Sequence, residues 1–134
     1  MTKAEVTNLS YRVVGCAIKV HKELGPGLLE SVYRKCLKYE LEQEGFRVTQ
    51  EHSVPIQYGS MAIETALRLD LLVNDTIIVE LKTVENLLPV HEAQLLTYMK
   101  LLKKPQGLLI NFFTENISKT MKPFVNEYFK ALED

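Results

Sequence analysis

Two acidic residues, Asp70 and Glu80, stand in apolar runs that are each typical of a β-strand, RLDLLV and TIIVELK. A charged side chain on the buried part of a strand costs free energy unless it is paired or bound to another group. The register of the two strands decides what each acid faces, because a shift of one residue moves every side chain to the other face. A loop over residues 74–76 places Asp70 across from Glu80 and leaves the opposite face wholly apolar, with Leu69 across from Leu81.

This register predicts metal chemistry at the two acids. Carboxylates on facing strand positions lie about 5 Å apart, and they repel each other at neutral pH unless a cation lies between them. Mg²⁺ is commonly held by one or two carboxylates and several waters. Lys82 points to the same side as Glu80 and is placed to contact a metal-bound water or a phosphate. The alternative is that Asp70 and Glu80 form two cross-strand salt pairs with Arg68 and Lys82 on a solvated face.

Helices and strands on either side must position these residues. Apolar residues spaced three and four apart predict helices, whereas alternation with a period of two predicts strands. The predicted helices cover 7–24, with Thr7 or Asn8 as N-cap, then about 28–45, 89–104 and 121–132. The predicted strands cover 48–58, with Pro55 indicating a sheet edge, then 62–73, 76–83 and 107–113. The predicted order is therefore ααβββαβα, with no repeat or linker.

Composition sets limits on the class of protein. The chain has 134 residues, 46% hydrophobic and 25% charged, which predicts one globular domain over residues 1–134. The formal net charge is −1, so any binding of phosphate must be local rather than driven by a global positive field. No long apolar run or leader pattern is present, and we expect a cytoplasmic protein without membrane contact. Cys16 and Cys36 have no CxxC spacing and are predicted to be core thiols.

Beyond these patterns, the sequence resembles the PD-(D/E)XK nuclease superfamily, and specifically the small GxxExxY proteins. The name-giving motif stands here as GLLESVY, with Gly27, Glu30 and Tyr33. Further matches are RLDLLV, IIVELK, PVHEAQLLTYMK and GLLINF, and the resemblance extends over roughly residues 9 to 115. The pattern D-x9-E-x-K alone is a weak match, whereas the combination is specific.

The resemblance implies a fold and a metal site. The fold is α/β and restriction-endonuclease-like, with a mixed central sheet flanked by helices on both sides. Asp70 and Glu80 would be metal ligands, with the carbonyl of Leu81 as a further ligand. Lys82 would position or activate water, and Glu30 would be the additional acid that completes the site. An alternative for Glu30 is an ordinary first-turn acid favoured by the helix dipole.

Other polar residues have both a functional and a structural interpretation. Gln94 and Tyr98 resemble the QxxxY element of RecB-type nucleases, and residues four apart share one helix face. The alternative for this pair is an ordinary amphipathic boundary. His21 and His91 are best interpreted as hydrogen-bonded structural residues, and Arg68 either holds a phosphate or screens Asp70.

The predicted function is hydrolysis of phosphodiester bonds in nucleic acid, with DNA expected rather than RNA. The expected cofactor is Mg²⁺ or Mn²⁺, because a bound divalent ion lowers the pKa of its water and stabilises developing negative charge. One alternative is a catalytically silent module that binds nucleic acid or a protein through the same cleft. Another is a subunit whose activity requires assembly, for example as a homodimer.

Overall fold

Seven strands, four helices and one 3-10 turn make up the computed structural model, which describes residues 1–134. The helices are α1 (Lys3–Leu24), α2 (Glu30–Gln43), α3 (Pro89–Leu102) and α4 (Glu127–Lys130). The strands are β1 (Val48–Ser53), β2 (Ile56–Tyr58), β3 (Met61–Ile63), β4 (Arg68–Val73), β5 (Ile77–Lys82), β6 (Gln106–Asn111) and β7 (Met121–Val125). The 3-10 turn covers Ile117–Thr120.

The central sheet is mixed and has the strand order β1-β4-β5-β6-β7. Its strands β5 and β6 are parallel, and the other neighbours are antiparallel. Parallel neighbours need a crossover connection, and α3 supplies it. Strands β2 and β3 pair only with each other. The predicted α/β architecture with a mixed central sheet is thus confirmed.

Helices cover both faces of this sheet. Along β5, Val79 and Leu81 belong to the apolar cluster beneath α1 and α2, whereas Ile78 belongs to the cluster beneath α3. Leu72 and Leu69 of β4 also lie in the α3 cluster. The predicted pairing of Leu69 with Leu81 on one common face is therefore wrong, because Leu69 packs beneath α3 and Leu81 packs beneath α1 and α2. None of the four helices is both long enough and apolar enough to cross a membrane.

The first helix begins earlier than its apolar periodicity predicts. Thr2, rather than Thr7 or Asn8, is the N-cap: its Oγ1 accepts a hydrogen bond from the Glu5 backbone N–H at 3.1 Å. Glu5 returns the interaction by accepting from the Thr2 backbone N–H at 3.0 Å. This reciprocal capping box satisfies two N–H groups that would otherwise lack partners.

Three segments differ from the predicted order. The strand predicted over 48–58 is β1 and β2, which lie in different sheets, because Pro55 between them has no backbone N–H to donate. The strand predicted over 62–73 is two strands in different sheets, because residues 64–67 form no strand and the Leu67 carbonyl instead accepts from the Val54 backbone N–H at 3.1 Å. The helix predicted over 121–132 is wrong: β7 occupies its first part and α4 is a single short turn. Pro123 explains the change, because proline is unfavourable inside a helix but is tolerated on an edge strand such as β7. The observed order is therefore ααβββββαββα.

The β4–β5 hairpin has the predicted register. Val73 pairs with Ile77 and Leu71 pairs with Val79, so the loop is 74–76. Asn74 and Asp75 both have left-handed backbone angles, with φ of 49° and 54°, and these residue types tolerate that conformation better than most. Asp70 and Glu80 are the residues directly beyond the last regular pair of the hairpin.

Candidate active site

Asp70 and Glu80 lie where the two strands of the hairpin separate. The regular pairing stops at Leu71 and Val79. Beyond it, Glu80 Oε1 accepts from the Asp70 backbone N–H at 3.0 Å, and Asp70 Oδ2 accepts from the Leu81 backbone N–H at 2.8 Å. Each carboxylate therefore replaces a missing backbone partner on the other strand. The structure brings the two acids together, with 8% and 5% of their surfaces exposed.

Cross-strand salt pairing does not account for these two acids. Arg68 turns away and donates from Nη1 to the carbonyls of Thr65 and Leu67, at 3.2 and 2.9 Å. Lys82 is half-buried and forms no salt bridge, and the one cation paired with Asp70 is Arg34 of α2. The alternative of two solvated cross-strand pairs is therefore wrong.

Three acidic side chains, those of Asp70, Glu80 and Glu30, lie close enough to influence one another's pKa. Burial, and then the charge of Asp70, raise the pKa of Glu80 to about 8. Burial and Asp70 also raise the pKa of Glu30, whereas Lys82 and Arg34 act to lower it. Glu30 of α2 therefore belongs to the same cluster as the two strand acids. Three carboxylates face two cations, and an additional positive charge would stabilise their ionised forms.

The loop between α1 and α2 is fixed by hydrogen bonds and positions Glu30 beside Asp70. Tyr33 donates from its hydroxyl to the Gly25 carbonyl and accepts from the Leu28 backbone N–H at 3.1 Å. Its ring stacks on Phe112 with centroids 4.5 Å apart. Gly27 has φ of 100°, a conformation that a residue with a side chain rarely adopts. Glu30 also lies in the first turn of α2. The favourable interaction of an acid with the helix dipole and the proximity of Glu30 to Asp70 are therefore compatible with each other.

Arg34 was not anticipated from the sequence. It lies one turn after Glu30 on α2, and its Nη1 is 3.5 Å from Asp70 Oδ1 while its Nη2 is 3.1 Å from Glu51 Oε1. Glu51 is the residue of β1 opposite Asp70, between the pairs Gln50–Leu71 and His52–Leu69. The spacing of four residues from Glu30 was the available signal, since such residues share a helix face.

Asn111 was also missed, and it holds the chain that leaves β5. It pairs with Lys82 in the parallel register. Its Oδ1 accepts from the backbone N–H groups of Val84 and Phe113, at 3.1 and 3.2 Å, and its Nδ2 donates to the Val84 carbonyl at 2.7 Å. A buried polar residue at the end of the apolar run GLLIN was the signal, because a buried amide requires partners.

The two residues of the predicted QxxxY element both lie on α3, but they have different surroundings. Tyr98 is 4% exposed and belongs to the apolar cluster beneath α3. Burial, followed by the charges of Glu80 and Asp70, raises the pKa of its phenol, so Tyr98 lies beside the carboxylates. Gln94, by contrast, is exposed, and its side chain makes no hydrogen bond within the chain.

The histidines bond to the backbone, as their structural interpretation predicts. His21 Nε2 is 2.8 Å from the Thr114 carbonyl oxygen. His91 Nδ1 accepts from the Leu88 backbone N–H at 3.0 Å, at the start of α3. His21 therefore links α1 to the chain that follows β6, and His91 caps the start of α3.

Carboxylate oxygens are the ligand type that a hard divalent cation prefers. Asp70, Glu80 and Glu30 supply carboxylate oxygens, and no hydrogen bond within the chain engages Glu80 Oε2. No group of three or more His, Cys, Asp or Glu side chains in the structure could hold a metal ion together. Mg²⁺ does not require such a group, because it keeps several waters and binds through one or two carboxylates. The assignment of individual ligands stays a prediction.

Comparison with known families agrees with the fold. The family model described as PD-(D/E)XK nuclease superfamily matches residues 7–124. The chain therefore belongs to the PD-(D/E)XK nuclease superfamily, as its motifs predicted. Neither the curated proteins nor the solved structures show a significant match to this chain.

Proposed function

We propose that this protein is a divalent-metal-dependent nuclease of the GxxExxY group, acting as one domain over residues 1–134 and cleaving DNA. The observation that carries the proposal is the buried pair of Asp70 and Glu80. Both accept backbone hydrogen bonds from the opposite strand, at 2.8 and 3.0 Å, so their positions are set before any ligand binds. Membership of a nuclease superfamily supports the same activity.

Each carboxylate has a distinct part in the proposed site. Asp70 and Glu80 hold Mg²⁺ or Mn²⁺, together with the carbonyl oxygen of Leu81, and Glu30 supplies the third acid from α2. When bound, the cation lowers the pKa of a water molecule and neutralises charge on the phosphate. The hydrogen bonds at Asp70 and Glu80 hold their carboxylates rigidly, which reduces the reorganisation needed during the reaction.

Lys82 is the proposed catalytic cation of the chain. Because no carboxylate pairs with it in a salt bridge, its ammonium is free to donate to the attacking water or to a phosphate oxygen. The Phe112 backbone N–H donates to the Lys82 carbonyl at 2.8 Å, and Asn111 holds the residues that follow. The backbone at Lys82 is thus fixed while its side chain stays available.

Helix α3 is proposed to contact the substrate as a RecB-like QxxxY element. Tyr98 provides the buried end of this element, beside Glu80, and Gln94 provides the exposed end. An exposed amide can both donate and accept hydrogen bonds, which suits a sugar–phosphate backbone. Gln94 would orient the bound nucleic-acid strand, and Tyr98 would limit movement of the Glu80 and Asp70 carboxylates.

Nucleic acid is the proposed partner, and its binding must be local because the net charge of the chain is −1. A small contact area favours either a short substrate segment or a second copy of the protein on the same nucleic acid. Light scattering with and without DNA separates these two arrangements.

A cleavage screen tests the proposed function. Labelled single strands, duplexes, flaps and junctions of DNA, with matched RNA, are incubated with the protein in Mg²⁺, Mn²⁺ or chelator. We expect metal-dependent cleavage that is lost in Asp70→Asn. Asp75→Asn is the matched control, because Asp75 lies in the same hairpin and pairs only with Lys104 at 2.8 Å. Binding of nucleic acid without any cleavage would instead indicate the silent binding module.

A further inference from the structure

Arg34 joins three elements of the fold through two acidic partners. From α2, its guanidinium reaches Asp70 on β4 at 3.5 Å and Glu51 on β1 at 3.1 Å. Its side chain is only 15% exposed. A cation in such a position is costly to bury unless acidic partners compensate for the lost water.

The partner residue Glu51 has an unusual backbone. Its φ is 49°, a left-handed conformation that is uncommon for residues other than glycine and that persists only where the surroundings hold it. Glu51 stands opposite Asp70, at the one position where β1 and β4 do not pair although their register is the same on both sides. The two acids that Arg34 contacts are thus the two residues of this missing pair.

Hydrogen bonding alone does not explain why arginine occupies this place. The Nε of Arg34 is buried and has no hydrogen-bond partner, and an unsatisfied buried donor lowers stability. What Arg34 does provide is a fixed positive charge next to Asp70 Oδ1. The other oxygen of Asp70 already accepts from the Leu81 backbone N–H, so Arg34 and Leu81 together constrain both oxygens of the carboxylate.

We propose that Arg34 is a positioning residue that holds Asp70 and limits the affinity of the carboxylate cluster for a divalent cation. This inference rests on the proposed metal-dependent function. The physical reason is that Arg34 and a cation on Asp70 neutralise the same negative charge, so each reduces the gain from the other. Glu51 keeps Arg34 in place and shares its charge, which prevents Arg34 from neutralising Asp70 completely.

The test measures how Arg34 and metal influence each other. Melting temperature with and without Mn²⁺, and the Mn²⁺ dissociation constant by calorimetry, are compared for wild type, Arg34→Met and Arg34→Lys. A neighbouring opposite charge changes the proton affinity of a carboxylate by about tenfold or more, so we expect Arg34→Met to bind Mn²⁺ at least about tenfold more tightly. Its melting temperature should fall in chelator and recover in Mn²⁺. Arg34→Lys should keep an affinity close to wild type.

Controls separate this role from packing. Lys38→Met removes a cation one turn further along α2, which pairs with Glu42 at 3.1 Å, and should leave Mn²⁺ affinity unchanged. Glu51→Gln should weaken Mn²⁺ binding, because it removes a negative charge and leaves Arg34 to pair with Asp70 alone. These opposite signs keep the inference testable if Arg34→Met folds poorly.

The outcomes also distinguish the two proposals. If wild type responds to Mn²⁺ but Arg34→Met has the same or a weaker affinity, the role of Arg34 is refuted and the metal site stands. If Glu51→Gln binds Mn²⁺ more tightly, the role given to its carboxylate is likewise wrong. If wild type shows no response to Mn²⁺ or Mg²⁺, the metal-dependent function fails and the inference about Arg34 fails with it.

Discussion

The Leu81 backbone N–H donates to Asp70 Oδ2 at 2.8 Å, so the strand that carries Glu80 also holds the aspartate of its neighbour. The two strands separate at this point, and the side chains fill the gap that backbone pairing leaves. A carboxylate that already accepts a backbone hydrogen bond has lost most of its rotational freedom. Metal binding here would therefore require little further ordering.

Asp70→Asn should abolish most of the metal-induced stabilisation. Mg²⁺ or Mn²⁺ is expected to raise the melting temperature of wild type, because a ligand that binds only the folded state stabilises it by mass action. Removing one carboxylate removes a principal ligand. Thermal melts across a metal titration measure the effect, with Asp75→Asn as control. An unchanged metal-induced shift in Asp70→Asn would exclude this residue as a principal ligand.

Glu80 should make stability depend on pH in chelator. Its pKa is raised from an ordinary value of 4.5 to about 8 in the fold, so the folded state binds the proton more tightly than the unfolded state. The resulting stabilisation is complete below about pH 4.5 and is lost as pH rises through about 8, with a slope of at most about 1.4 kcal/mol per pH unit.

Denaturant unfolding between pH 5 and pH 8.5 measures this loss, roughly within the window that the raised pKa defines. Glu80→Gln should flatten the decline, because a neutral amide does not titrate. Glu85→Gln, at an exposed position in the loop after β5, should keep the wild-type slope. Equal slopes in wild type and Glu80→Gln would show that another group is responsible.

Lys82→Met should slow chemistry without weakening metal binding. Methionine keeps most of the side-chain length but removes the charge, and loss of one such electrostatic contact in an active site costs roughly a hundredfold in rate. Because lysine is not a ligand, metal affinity should stay the same or rise. Single-turnover cleavage and metal titration measure the two quantities, and Lys119→Met is an exposed control. Cleavage by Lys82→Met at the wild-type rate would show that its role is misassigned.

Two glycine substitutions should change stability in opposite directions. A Cβ at Gly107 of β6 would lie 2.7 Å from Met99 Sδ and 2.8 Å from Leu95 Cδ1, so α3 would have to move. We expect Gly107→Ala to lower the free energy of unfolding by about 1–3 kcal/mol. Gly15→Ala meets nothing within 4 Å on α1, and should raise it by up to about 1 kcal/mol. Chemical denaturation measures both, and a Gly107→Ala protein as stable as wild type would contradict the close packing of α3.

Local patterns in the sequence determined the hairpin and its acids. The register through Leu71–Val79 followed from burial alone, because only an odd loop puts the apolar side chains of both strands on common faces. The same reasoning placed Asp70 across from Glu80, and the apolar spacing along 89–104 predicted α3 as it is found, at Pro89–Leu102. These features depend on neighbours within a few residues of one another.

Other features were decided only by tertiary structure. Residues 121–125 become a strand because the edge of β6 offers hydrogen-bond partners and Pro123 opposes a helix. Arg34 meets Asp70, and Asn111 meets Val84, across 36 and 27 positions of chain. These contacts depend on how α2 packs on the sheet and on where β6 lies within it. Local periodicity carries no information about the distance between elements that are far apart in sequence. The sequence by itself therefore determined which acids face each other, whereas the packing of the helices decided which cation lies beside them.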